Sequence, residues 1–211
     1  MYDLLFVVFS TVEAFSMFTI MLHLFRFDVR NYYKQLLAMS FLMSMFSLSI
    51  WKELQLSDYA PLISIVIFTL FIFFTLRVSI VGSVIVVLFG YISYALVQTL
   101  VLLGMEGYET TSIFYPSDHR VEGYILQAVS SAITLLISQA LYKRGYGFTF
   151  PLDRFKWRDE WENRIMFVIL CAGILFVALI PTFKNSLLWV VLVCIFILAF
   201  LIYLYIQKEK R

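Results

Sequence analysis

This chain has little charge, few backbone breakers and no catalytic signature. Only 14% of its 211 residues are charged, and 62% are hydrophobic. Soluble domains are nearer a quarter charged and half apolar, so an ordinary soluble fold is excluded. No basic tract is present that would grip a phosphate backbone, which argues against a nucleic-acid partner. Cysteine is scarce. Cys171 and Cys194 both sit in apolar runs without metal-ligand spacing, and read as small buried fillers. Four prolines and eight glycines leave long stretches of backbone uninterrupted.

Motifs that carry chemistry are missing as well. The sequence contains no G-x-x-x-x-G-K-[ST] phosphate loop, no G-x-G-x-x-G, no H-E-x-x-H and no G-x-S-x-G. Neither histidine, His23 or His119, lies on the cysteine-bearing runs or the runs beside them, so a thiol peptidase would lack its base. Neither suits a kinase's phosphate acceptor, and no nucleotide-binding segment follows. The expectation is a non-catalytic protein without cofactor or metal.

Long apolar runs are what the chain does have. With 22 Phe and 13 Tyr among its residues, it divides into seven runs, over about 4–24, 36–51, 61–76, 79–104, 121–142, 165–180 and 186–206. A helix needs roughly 20 mainly apolar residues to cross a bilayer, so seven spans use most of the chain and leave no room for a soluble domain. The first run follows an acidic leader, Met1-Tyr2-Asp3, and continues past Glu13, so it reads as a retained span and not a cleaved signal. A single helix over 61–104 would be about 65 Å long at about 1.5 Å per residue, twice a bilayer, so a break is required. Arg77 is its natural place, because a guanidinium prefers the interface. Backbone inside lipid must pair with itself, and runs without period-two alternation choose helices over a barrel.

The basic residues then fall on alternate sides. Arg26, Arg30, Lys34, Arg77, Lys143, Arg144, Arg154, Lys156, Arg158, Arg164, Lys208, Lys210 and Arg211 lie on one side; Lys52, Arg120 and Lys184 lie on the other. Positive charge flanking spans is retained in the cytoplasm, which puts the N-terminus outside and the C-terminus inside. The expected fold is therefore an all-α integral membrane protein, one polytopic domain of about seven transmembrane helices in a cell membrane. Its largest outer segment, 105–122, is acidic. Its main inner loop, 143–163, is basic and aromatic, and the part from Leu152 to Arg164 reads as a short interfacial helix. Within it, Arg154, Lys156, Trp157, Arg158 and Trp161 are candidates for contact with lipid or a cytoplasmic partner.

Glu13 is the sharpest polar candidate. An ionised carboxylate at mid-span costs several kcal/mol, in order of magnitude, unless it is paired or protonated. It either contacts a ligand or coupling ion inside the bundle, or bonds another helix as structural glue. Tyr94, Gln98 and Gln127 join it as candidates, the two glutamines lying near the outer face of the fourth and fifth spans. Tyr91, Ser93, Ser130, Ser131, Ser138 and Gln139 read as helix–helix hydrogen-bonding groups. Gly82 and Gly90, and the Ala128–Ala132 step, read as packing positions. His23 lies about 15 Å along the helix from Glu13, too far for a local acid–base pair, and reads as an interfacial residue without a role. His119 reads as a solvated loop residue.

Several of these positions together resemble a known family. They are Thr11-Val12-Glu13, Leu24-Phe25-Arg26-Phe27, the abutting spans at Leu76-Arg77-Val78, Gly90-Tyr91 with the later Gln98, and a last span ending in a basic tail. The pattern resembles the N-terminal membrane region of peptide-pheromone receptor histidine kinases of the accessory-gene-regulator type from Gram-positive bacteria. That resemblance implies a bacterial plasma membrane, an extracellular peptide ligand and a signalling output. The sequence stops at Arg211, where the kinase's dimerising helix would begin, so the expectation is a kinase-less relative served by a separate signalling protein. The residues alone leave open a small transporter or permease subunit and a lateral membrane scaffold.

Overall fold

The computed structural model describes residues 2–49, 60–105, 120–148 and 191–199 without 197. Among these residues all regular structure is helical and no strand occurs. Five helices follow in order: α1 (Tyr2–Leu24), α2 (Val29–Ser49), α3 (Ala60–Leu76), α4 (Ile80–Met105) and α5 (Arg120–Lys143). A further helical stretch covers 191–196. Among the described residues three stretches are long and apolar enough to cross a membrane: Asp3–Leu24, Ile80–Met105 and Gly123–Lys143, while Ala60–Leu76 is a shorter apolar helix. The sixth run, and the seventh apart from 191–199, lie outside the described residues, as do His119 and the acidic 106–119 part of the outer segment.

The helix ends have local causes. No glycine or proline interrupts α1, and it closes when Arg26 turns into the left-handed region at φ 58°. The Arg26 N–H donates to the His23 carbonyl at 3.1 Å and the Phe27 N–H to the Leu22 carbonyl at 2.9 Å. This paired arrangement satisfies carbonyls that a helix C-terminus leaves free. α5 closes the same way at Gly145, with φ 72°. α3 closes at Arg77, whose φ is 54° and whose N–H donates to the Phe73 carbonyl at 3.1 Å. Ser79 then caps α4, its hydroxyl accepting the Gly82 N–H at 3.1 Å. Three residues, Arg77, Val78 and Ser79, thus separate α3 from α4, the first closing one helix and the last capping the next.

α2 starts at Val29, well before its apolar run. Asp28 is the reason: its carboxylate accepts the Arg30 N–H at 3.0 Å, so the helix nucleates on a cap and carries its polar first turns into the interface.

Among the described helices α1 packs against α2, α4 and α5. It runs antiparallel to α2, where the Thr11 hydroxyl donates to Ser44 Oγ at 2.9 Å. It is antiparallel to α4 as well, since Phe25 meets Phe89 with ring centroids 5.8 Å apart while Glu13 meets Tyr94. Against α5 it runs parallel: Phe9 stacks on Tyr124 at 5.2 Å, and His23 reaches Ser138 fourteen residues further along both helices. Phe18 contacts Phe68 and Phe71 of α3, at 4.6 and 5.0 Å. This topology gathers Arg26, Arg30, Arg77, Lys143 and Arg144 at one end of the bundle.

Polarity is partly inverted relative to a soluble protein. Phe74 and Leu136 are 71% and 69% exposed, while Ser40, Ser83, Ser130, Ser131, Thr134 and Ser138 are wholly buried. Large apolar side chains facing outward around an interior that contains hydroxyls suit a lipid surround, where apolar exposure carries no penalty. The chain is a helical membrane-type protein.

Candidate functional site

Three helices deliver polar groups to one place inside this apolar frame. Glu13 comes from the middle of α1, Tyr94 from α4 and Gln127 from α5. Tyr94 is wholly buried, and its hydroxyl donates to Glu13 Oε1 at 3.1 Å. Gln127 faces the same carboxyl, and its own Oε1 is buried without a hydrogen-bond partner. Tyr91 flanks the carboxyl within electrostatic range. Ser131 stands beside the Tyr94 hydroxyl, and its Oγ has no other partner. A carboxyl held by a tyrosine hydroxyl and flanked by an amide is thus built into the bundle, with acceptor capacity left over.

Gln98 is on the same face of α4, one helical turn beyond Tyr94, and is half-buried. It makes no hydrogen bond among the described residues, so it borders the cluster without joining it. Arg154, Lys156, Trp157, Arg158 and Trp161 lie outside the described residues.

The close approach of α1 and α4 beneath the cluster depends on Gly90. A Cβ there would lie 2.9 Å from Met21 Cα and would also strike the Met21 side chain. On α5 the buried face is not the Ala128–Ala132 step. Ala132 is exposed, and Gln127, Ser130, Ser131, Thr134 and Ser138 turn inward. A small alanine contributes little by burial here, whereas hydroxyl groups gain from leaving lipid. Gln139 also points outward.

His23 differs most from its reading as an interfacial residue. It is only 7% exposed. Its Nδ1 lies 2.6 Å from Ser138 Oγ, where either group can donate according to the imidazole tautomer. Its ring stacks on Tyr142 with centroids 4.6 Å apart. Just below, the segment after α5 folds back on α1: the Phe148 N–H donates to the Leu24 carbonyl at 2.6 Å. The Phe148 ring packs between Phe25 and Phe89, at 5.3 and 5.1 Å.

Between α4 and α5, Val97, Leu100, Val101, Val129, Ile133 and Ile137 line an open apolar groove of about 410 Å³. Among the described residues no group of three or more His, Cys, Asp or Glu is placed to hold a metal ion. No family model, curated protein or solved structure matches this chain.

Proposed function

We propose that this chain is a non-catalytic, multi-pass sensor or accessory protein of a bacterial plasma membrane, with seven spans, the N-terminus outside and the C-terminus cytoplasmic. Its ligand is an extracellular peptide or amphiphile, taken up at a polar pocket formed by Glu13, Tyr94, Gln98 and Gln127. A separate signalling protein reads the bound state from the basic, aromatic inner loop, through Arg154, Lys156, Trp157, Arg158 and Trp161. One observation carries this reading: residues from α1, α4 and α5 converge on a single carboxyl inside an apolar bundle. Groups so separated in sequence report helix rearrangement together, because a ligand that bonds one must shift the others. The free Gln127 oxygen and the nearby Gln98 amide supply hydrogen-bonding capacity for such a ligand.

The test is retention. Purified protein in nanodiscs, incubated with the peptide fraction of spent medium from the producing cells, should hold a component identifiable by mass spectrometry. Glu13→Gln or Gln98→Ala should weaken retention roughly tenfold, the effect of losing one hydrogen bond to a charged group. Finding nothing retained, or wild-type retention by both variants, would overturn the reading.

A lateral scaffold is the second reading with an observation of its own, the apolar groove between α4 and α5, which suits a neighbouring membrane helix. Crosslinking from Val101 or Ile133 to another membrane protein would favour it. A small transporter or permease subunit would instead show counterflow of substrate in proteoliposomes.

A further inference from the structure

The cluster at Glu13 does not stop at Gln127. Along α5 below it, Ser130 Oγ and Thr134 Oγ1 are buried and without hydrogen-bond partners, Ser131 Oγ has only the Tyr94 hydroxyl beside it, and all three residues are 0% exposed. The next buried hydroxyl on that face, Ser138, meets His23 directly. Gln127, Ser131, Thr134 and Ser138 therefore follow one another at steps of four, three and four residues, each one turn apart on the face that α1 covers. The parallel register of α1 and α5 carries this file from Glu13 to His23 without crossing to another helix.

Unpaired hydroxyls inside a bundle are costly, and the usual remedy is water. The spacing decides which ligand fits. Groups three or four residues apart on a helix are about 5–6 Å apart, which is the span of one water hydrogen-bonded at about 2.8 Å on each side. A single metal cation cannot be the common partner, because its oxygen ligands must converge to about 2.4 Å from one centre.

We propose that this file is a hydrated proton path joining Glu13 to His23, and so joining the outward-facing polar cluster to the basic end of the bundle. It goes beyond the sensor reading and needs no ligand. A proton leaves the Glu13 carboxyl for the first water. Each hydroxyl then accepts a hydrogen on its oxygen as it releases its own. At the last hop Ser138 protonates His23 Nδ1 while Nε2 releases its proton at the basic end, leaving Glu13 ionised and the imidazole in its other tautomer. Proton uptake by Glu13 from the far end and return of the imidazole to its first tautomer reset the path. At the upper end the groups facing Glu13 are Tyr91 and Tyr94 of α4 and Gln127 of α5; at the lower end Asp28 and Tyr142 attend His23.

The experiment uses the full chain in liposomes loaded with the pH dye pyranine, with an inward-driving potassium diffusion potential set by valinomycin. Wild-type protein should acidify the lumen faster than protein-free liposomes. The double variant Ser131→Ala/Thr134→Val, close in shape but without hydroxyls, should lower that flux roughly tenfold, and Ser131→Thr should retain it. Thermal melting of the same proteins is the second readout. If the file is dry, deleting unpaired hydroxyls is neutral or stabilising; if it is hydrated, deletion removes water bridges and lowers the melting temperature. Flux no greater than in empty liposomes, equal flux in the double variant, or an unchanged or raised melting temperature overturns the proposal. Failure of the ligand test leaves this result unaffected, since no peptide is present.

Discussion

Tyr94 heads the largest wholly buried side chains among the described residues, and its hydroxyl ends on Glu13. Removing that donor leaves both the carboxyl oxygen and the space around it unsatisfied. Interhelical hydrogen bonds in bilayers contribute about 0.6 kcal/mol on average and up to about 1.7. Tyr94→Phe is therefore expected to lower stability by about 0.6–1.7 kcal/mol, measured as a shifted denaturation midpoint in detergent. Glu13→Gln keeps an acceptor oxygen for the same hydroxyl and should cost less. If the order reverses, the contact is incidental to the fold. That Glu13, Tyr94 and Gln127 were worth singling out was legible in the sequence, because polar groups at mid-span are few. His23 was not legible, because what buries it is Ser138, 115 residues away. A signal did exist. The polar residues of α5 recur at Gln127, Ser131, Thr134 and Ser138 with helical period, and that face had to point at something.

At the scale of elements, what the helices do to one another depends on a few small residues and caps. Apolar runs were enough to read α1, α3, α4 and α5; bilayer thickness required a break between α3 and α4, and the interfacial preference of Arg77 placed it. The true start of α2 was hidden because Arg30, Asn31 and Lys34 make its first turns polar, and the Asp28 cap that begins them is a local hydrogen bond and not a hydropathy feature. The Ala128–Ala132 step misled for a related reason: small residues permit close packing without requiring it. Gly90 does require it. Gly90→Val places branched carbon against the Met21 backbone, and overpacking of this kind costs about 1–3 kcal/mol or more. It should separate α4 from α1 and loosen the Glu13–Tyr94 contact. Gly104→Ala, where a Cβ would meet nothing within 4 Å, should be neutral or slightly stabilising because it adds helix propensity. Paired melting curves of the two variants check this. Equal behaviour would show that α1 and α4 are not held as close as their backbones lie.

For the whole molecule, one geometric fact limits the possible orientations. α1 and α5 are parallel, and Arg26, Arg30, Arg77, Lys143 and Arg144 share the end at which both finish. Parallel direction requires an even number of reversals between them, which α2, α3 and α4 supply. Orientation of the bundle then reduces to a single choice of side, and basic residues near span ends favour the cytoplasm. Impermeant maleimide distinguishes the alternatives. In a background with Cys171 and Cys194 replaced by alanine, Gly104→Cys is placed at the exposed far end of α4, and Tyr146→Cys at the basic end, where Tyr146 is 64% exposed. In intact cells Gly104→Cys should label and Tyr146→Cys should not; after permeabilisation both should label. The opposite pattern would invert the bundle, turning the Glu13 cluster toward the cytoplasm and His23 toward the medium. An outer ligand would then have no route to the cluster, whereas the proton path would survive with its ends exchanged. The labelling experiment therefore separates the two proposals that share Glu13.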